Sequence, residues 1–426
     1  MKQEILDRLY ALHRFGIKPG LERTLRLAEM AGNPHSKYPS VHIAGTNGKG
    51  STASMLASVF MEAGYKTGLY TSPHISDFNE RIKVNGIMID DDSLISLASP
   101  LLDEAESNEG TFFEITTVMA FKYFEMEKVD IAIIETGMGG RFDSTNIITP
   151  ELSIITDIDM DHSEYLGDTL KDIAFEKAGV IKNDVPALIS DEKTELREVW
   201  RNKAAETGSK IYYTDNYVLR ERTCDLSLNT RLTISSPEKN FDIESPLAGI
   251  HQTKNIRAVC AAFDILQDKF NINENNLLDG ISKVRTNSGL SARVELLRES
   301  PPIVADVAHN PAALNTLSQT LKECGYENKW DFLFAAMNDK DIRGMIKSIT
   351  PHVSALIVTR PKIERAAKAI RIADIASEEG IKNIIIIENT ARAAEFTFKN
   401  CQNLIIAGSF YLAGEALPVI KDLLKD

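Results

Sequence analysis

The stretch Ser40–Phe60, SVHIAGTNGKGSTASMLASVF, decides the fold. SVHIAG is a short run apolar on both faces, as a buried parallel strand should be, and from Ser51 onward the pattern is helical. Between them lies Gly45-Thr46-Asn47-Gly48-Lys49-Gly50-Ser51-Thr52. Its three glycines let the backbone wrap closely around an anion, the helix start offers unpaired N–H groups and a positive dipole end, and Lys49 adds a point charge. Ser51 or Thr52 can reach a phosphate or Mg²⁺. The common phosphate loop has four residues between its glycines and a Lys followed directly by Ser or Thr. Here Gly50 intervenes, so the loop is a variant. The bland alternative is a ligand-free glycine-rich turn of a doubly wound sheet, which this density of glycine, lysine and hydroxyl disfavours. An ATP site follows, but a kinase, a motor, a ligase and a plain nucleotide-binding module would all carry one.

The rest of the chain extends the same pattern. VDIAIIETG (129–137), LSIITDI (152–158) and VPALIS (185–190) repeat the buried-strand texture, and Ser51–Ala63 and Phe112–Phe124 read as helices. From Lys210 to Ser245 the texture becomes alternating, which predicts a small antiparallel appendage; a helix pattern follows over His251–Lys269. Beyond Ser300-Pro301-Pro302 a second series begins: PIVADVAHN, WDFLFAAMN, ALIVTRP, NIIIIEN and NLIIAGS. The expected architecture is α/β: a mostly parallel phosphate-loop ATPase domain with an antiparallel β appendage over 1–298, and a smaller Rossmann-like domain over 299–426.

Composition agrees with that frame. The 426 residues suggest two or three domains, and 43% hydrophobic with 26% charged residues is an ordinary globular balance. A net charge of −13 lacks the basic field of nucleic-acid or anionic-membrane binders, so polyanionic ligands must be held locally. No apolar run reaches the about 20 residues of a membrane helix, and the start lacks a signal-peptide core. Cys224, Cys260, Cys324 and Cys401 are widely spaced without a C-x-x-C pair, which predicts buried free thiols in a reducing compartment. A cytoplasmic, monomeric protein acting on small molecules is the expectation.

Several strand ends carry groups suited to chemistry. Glu135 closes the run VDIAII before Thr136-Gly137-Met138-Gly139-Gly140-Arg141; a carboxylate there is costly unless hydrogen bonded or holding a cation, so it is the first metal candidate, with loop bracing as the alternative. Asp157-Ile158-Asp159-Met160-Asp161-His162 clusters further ligands, although magnesium prefers oxygen and His162 would be an unusual direct partner. Bracing roles suit His74 and Asp161. Lys177, in FEKAGV, reads as a solvated helix lysine on its pattern alone.

Taken together, AGTNGKGST, TSPHISDFNERI, TFFEITT, ETGMGGRFDSTN, DHSEYLGDTL with IAFEKAGVIK, HQTKN, Arg293-Val294-Glu295, DVAHNP, TRP and GSFYLAGE resemble the folylpolyglutamate synthase and dihydrofolate synthase family, a branch of the Mur-ligase-like amide ligases. The resemblance covers essentially the whole chain. It implies that Asn47, Gly48, Lys49, Gly50 and Ser51 hold the triphosphate, that Asn255, Arg293 and Asp306 contact the nucleotide, and that His309 lies near the phosphates. It further implies that Ser72, Glu135 and His162 surround magnesium, and that Lys177 is carbamylated and helps to bind a second metal ion. For the pterin it points to Gly16–Arg23, Phe113, Arg141 and Asp143. Two departures stand out: Val307 where the family usually has Gly, and Ser291-Ala292 before Arg293 where Pro-Gly is common.

The implied reaction is ATP-dependent amide formation through an acyl phosphate, with Lys49, Lys177 and His309 at the reacting centre. The acceptor would be dihydropteroate or a reduced folate, the donor L-glutamate. A chain with only the tail-extending activity, and a non-catalytic nucleotide-binding module, are the competing readings. A cell-wall amino-acid ligase would need a nucleotide-sugar-binding domain before the phosphate loop, and 44 residues leave no room for one.

Overall fold

The computed structural model describes residues 1–12, 16 and 18–425. Of the early segment Gly16–Arg23, Ile17 lies outside the described residues. The first sheet has strands β1 (Ser40–Ala44), β2 (Thr67–Tyr70), β3 (Ile82–Val84), β4 (Ile87–Met88), β5 (Ile131–Glu135), β6 (Leu152–Ile155), β7 (Ala187–Ile189) and β8 (Ile211–Tyr213). Their spatial order is β4-β3-β2-β5-β1-β6-β7-β8. The pairs from β2 to β8 are parallel, and β3 and β4 add an antiparallel edge.

Strand β1 is central because Val41, Ile43 and their neighbours are buried on both sides of the sheet. It is flanked by β5 and β6, so the chain leaves it toward both edges and its carboxyl end opens into a crevice. The helix Lys49–Glu62 that follows is buried along nearly its whole length, Ser51 to Phe60, which explains its run of small and apolar residues.

Strands β9 (Val218–Cys224), β10 (Thr230–Ser235) and β11 (Asn240–Ser245) form the expected antiparallel appendage. One correction concerns its start: Ile211–Tyr213, expected there, extends the main sheet as β8 instead. Leu232, Ile234, Phe241 and Ile243 of the appendage pack with the helix Ile250–Phe270 and the first sheet. Its turn, by contrast, reaches the other domain, where Leu228 joins the core around Trp330 and Phe332.

The second sheet comprises β12 (Glu295–Glu299), β13 (Pro302–Ala305), β14 (Trp330–Phe334), β15 (Val353–Arg360), β16 (Ile384–Asn389) and β17 (Leu404–Ala407), ordered β12-β13-β17-β14-β15-β16. Five strands match the second sequence series; β12 was not foreseen, being a half-buried edge strand paired antiparallel to β13. The expected division at 298/299 falls within the strand β12.

The cysteines require a further correction. Cys260 and Cys401 are buried and free, but Cys224 and Cys324 form a disulfide. It links the end of β9 to the residue after the helix Pro311–Glu323, so it spans the two domains. A separation of 100 residues hid a proximity that only domain docking creates. An Arg222–Glu323 ion pair and a hydrogen bond from Tyr326 Oη to Leu226 O at 2.6 Å line the same seam.

Candidate active site

The phosphate loop is shaped by close approaches. Gly48 has φ +88°, and a Cβ there would overlap Asn255 Oδ1, so both backbone conformation and space demand glycine. Gly48 also caps the helix Lys49–Glu62 without a side-chain acceptor, leaving its first N–H groups for a ligand. Thr46 N and Asn47 N donate to Asp157 O, which ties the loop to the end of β6.

Two cations converge on one carbonyl. Lys49 Nζ donates to Gly45 O at 3.0 Å and Thr46 O at 3.2 Å, and Lys177 Nζ donates to Gly45 O at 2.7 Å. The solvated reading of Lys177 is thus overturned: the residue is 3% exposed. Burial, reinforced by the charge of Lys49, pushes its amine down to about 7. The cause is a very close packing of the helix Leu170–Ala178 on the loop after β5. A Cβ on Gly140 would lie 2.8 Å from the carbonyls of Glu176 and Lys177, and one on Gly179 would overlap Arg141. Those two glycines, in GMGGR and KAGV, were the available signal.

Glu135 ends β5 fully inside this group. Its Oε2 accepts Ser72 N at 3.0 Å and lies 3.4 Å from where a Cβ on Gly50 would be. Among the described residues no cation lies within ion-pair distance of it. Burial pushes its carboxyl up, opposed by Lys49, by the Ser72 hydrogen bond and by Arg293 and Arg81 at longer range. A buried carboxylate without a cation, beside a phosphate loop, fits a divalent ion shared with phosphate oxygens. No cluster of three or more His, Cys, Asp or Glu side chains able to hold a metal occurs among the described residues. His162 is exposed, with φ +49° and its Nε2 3.6 Å from Asp161 Oδ2, and burial together with the charges of Lys177 and Lys49 pushes its imidazole down, opposed by Asp161.

The second domain contributes Arg293, Asp306 and His309. Asp306 Oδ2 accepts Val294 N at 2.8 Å and Oδ1 accepts Ala308 N at 2.7 Å, so its carboxylate braces the turn that carries Arg293. That turn contains Ala292 at φ +53° and Val294 at φ +44°, the former where the resemblance leads one to expect glycine. Val307 adopts no positive φ and packs in the core of the second sheet, so this departure costs nothing in backbone geometry. His309 Nδ1 faces Val307 O at 3.0 Å; a carbonyl only accepts, so Nδ1 carries the proton and Nε2 is left for a ligand. Phe410 lies under both His309 and Arg293.

On the acceptor side, the Phe113 ring covers Gly137 so tightly that any Cβ there would overlap it. Arg141 is exposed but committed: it pairs with Glu176 at 2.6 Å and is stacked between Phe142 and Phe175. Asp143 is buried, accepting from Thr145 N, Thr145 Oγ1 and Met138 N, which makes it a brace of its turn. Two groups escaped the sequence reading. Gln252 connects Ser51 Oγ (3.5 Å) to Asn255 (2.9 Å), visible in retrospect as residues three apart on one helix. Arg81 is buried over the Phe112 ring, donates through Nε to His74 Nδ1 at 2.8 Å, and pairs with no carboxylate among the described residues.

Comparison with known proteins accords with this geometry. The Mur ligase middle domain matches residues 43–263, and the Mur ligase glutamate ligase domain matches 292–410, beginning just before β12. The dihydrofolate synthase/folylpolyglutamate synthase of Bacillus subtilis is 36% identical over 422 residues, covering 94% of this chain and 95% of its own. The crystal structure of folylpolyglutamate synthase from Thermotoga maritima superposes with a TM-score of 0.87 at 30% identity, covering 98% of this chain and 96% of that one. E. coli FolC in complex with DHPP and ADP gives a TM-score of 0.84 at 26% identity, covering 99% and 98%. Both Mur ligase domains match this chain and the likeness to these relatives runs along nearly their full length, so the chain belongs to the dihydrofolate synthase/folylpolyglutamate synthase branch of the Mur ligase family.

Proposed function

We propose that this chain is an ATP-dependent ligase that joins L-glutamate to the carboxylate of dihydropteroate and of reduced folates. The observation that carries the reading is the meeting of Lys49 and Lys177 at Gly45 O beside Glu135, a buried carboxylate with no cation in ion-pair contact among the described residues. A carboxylate oxygen of the acceptor attacks the γ-phosphorus of ATP and ADP leaves. The glutamate nitrogen then attacks the acyl carbon, loses a proton, and phosphate departs with the bridging oxygen.

Lys49 and the N–H groups after Gly48 hold the phosphates and offset the charge that moves onto them. Asn47, Gly50 and Ser51 complete that cradle, with Asn255 closing it from the helix Ile250–Phe270. Arg293 and His309 Nε2 approach from the second domain, which excludes water from the acyl phosphate. Ser72, Glu135 and His162 would hold magnesium, which when bound neutralises phosphate charge. Lys177 with its amine near neutrality is in the form that adds carbon dioxide, so carbamylation at this position is chemically favoured. Phe113 and the turn Gly137–Asp143 receive the flat ring of the acceptor. Among the described residues no helix is long and apolar enough to cross a membrane.

Glutamate-dependent ADP release, measured with dihydropteroate and tetrahydrofolate side by side, tests the reading. Turnover of both is expected; turnover of tetrahydrofolate alone would reduce it to tail extension, and no release with either would leave a nucleotide-binding module.

A further inference from the structure

His42 belongs to none of the roles above, yet it is fully buried at the centre of the first sheet, three residues before the phosphate loop begins. Its Nε2 lies 2.8 Å from Thr145 Oγ1, and Thr145 Oγ1 lies 2.5 Å from Asp143 Oδ1. The protons on this line can be assigned. Asp143 caps the helical turn Ser144–Ile147 and its oxygens accept from the backbone N–H groups of Thr145 (3.0 Å) and Met138 (2.8 Å). The carboxylate therefore acts as acceptor, and the single hydroxyl proton of Thr145 goes to it. Thr145 Oγ1 must then accept from His42 Nε2–H. The other ring nitrogen, Nδ1, is buried without a hydrogen-bond partner among the described residues, a position that a bare nitrogen tolerates better than an orphaned N–H. Burial, with the nearby charge of Lys182, pushes the imidazole down to about 3, so the ring stays neutral and carries just this one proton.

What the line holds in place is the turn from Gly137 to Asp143. Met138 N is anchored directly on Asp143 Oδ2, and Gly137 lies under the Phe113 ring. We propose that His42 is a positioning residue for the acceptor substrate: acting through Thr145 and Asp143, it fixes the turn Gly137–Asp143 against Phe113, where the flat heterocycle of the pteroate or folate is received. The inference rests on the ligase reading above. It also separates two jobs of β1, which ends in the nucleotide loop at Gly45 and, one turn of the pleat earlier, steadies the acceptor loop from His42.

The test compares His42→Leu and Thr145→Val, which break the line at its two joints, with His42→Gln and Thr145→Ser, which restore a donor and a hydroxyl. The two breaking variants are expected to raise KM for dihydropteroate and tetrahydrofolate about tenfold, equivalent to about 1.4 kcal/mol. KM for ATP should stay within about twofold, and the restoring variants should recover most of the loss. Because the residues act in series, His42→Leu with Thr145→Val should be no worse than the worse single change. Equal rises in both KM values, a loss confined to kcat, or no change in acceptor KM would overturn the proposal. Should His42→Leu fail to fold, the nearly isosteric Thr145→Val carries the test, with ADP affinity by calorimetry as the check on the nucleotide side. Calorimetric binding of dihydropteroate keeps the two readings apart. A wild-type chain that binds dihydropteroate or tetrahydrofolate but releases no ADP with either refutes the ligase reading while leaving the variants comparable; one that binds neither overturns both.

Discussion

The two sides of the cleft are built by opposite means. On the large domain, the phosphate end is made from eight consecutive residues whose unusual φ angles fall on glycines, Gly45 at +146° and Gly48 at +88°. On the small domain, Arg293 sits in a turn without glycine. There Ala292 and Val294 adopt positive φ, a strained arrangement for residues with a Cβ and most unusual for a β-branched one. That turn is held from outside: Glu295 Oε2 accepts Ala292 N at 2.6 Å, Asp306 accepts Val294 N, and Val307 N donates to Ala292 O at 3.2 Å. A loop that is locally at ease needs only its own sequence. A strained one exists because two carboxylates and a sheet impose it.

The contrast can be broken most severely at Lys49. Lys49→Ala should lower turnover about a thousandfold, on the order of 4 kcal/mol of lost charge stabilisation. Thermal unfolding should barely move, because the lysine rests on carbonyls that water can satisfy; a folded, fully active variant would refute the role.

Acid probes both sides together. His42, His74 and His251 are pushed down to about 3, 4 and 4, chiefly by burial, with help from Lys182, Arg81 and Arg293 respectively. Their lowered folded values mean that the unfolded chain binds protons first as pH falls. The stability they support is complete above about 6.5 and is lost as pH drops toward 4, at about 1.4 kcal/mol per pH unit for each histidine. Denaturant titrations at pH 7 and pH 5 would show it; a midpoint unchanged between them would contradict these environments.

At the seam, reduction of Cys224–Cys324, or Cys224→Ser, should cost about 2–4 kcal/mol, since the bond closes a loop of about 100 residues. Chemical denaturation with and without reductant measures this, and equal midpoints would mean that docking alone holds the domains. The smallest effect sharpens the contrast from the strained side. Ala292→Gly should stabilise by about 1 kcal/mol, because glycine adopts positive φ freely. A lower melting temperature in that variant would show that Ala292's burial outweighs its strain.

How much was legible follows from the same physics. The parallel strands, their helices and the phosphate loop could be read because periodicity, glycine and charge are local signals. The edge strands β3, β4 and β12 could not, being short or half-buried and defined by their partners. Glu135 announced itself as an acid ending an apolar run. The contacts of Asp143 and Arg141 were not legible: one braces its turn and the other is paired with Glu176.

Sequence alone determined the α/β class, the nucleotide loop and the family, because each depends on residues a few positions apart. Tertiary structure decided what Lys177, Cys224 and His42 are. Lys177 looked solvated until a helix packed it onto Gly45 O, Cys224 looked free until the appendage met the second domain, and His42 looked like one more strand residue until Thr145 came within 2.8 Å. A side chain's ionisation, bonding and hydrogen-bond roles depend on what surrounds it, and in these three cases the surroundings come from residues about 100 or more positions away along the chain.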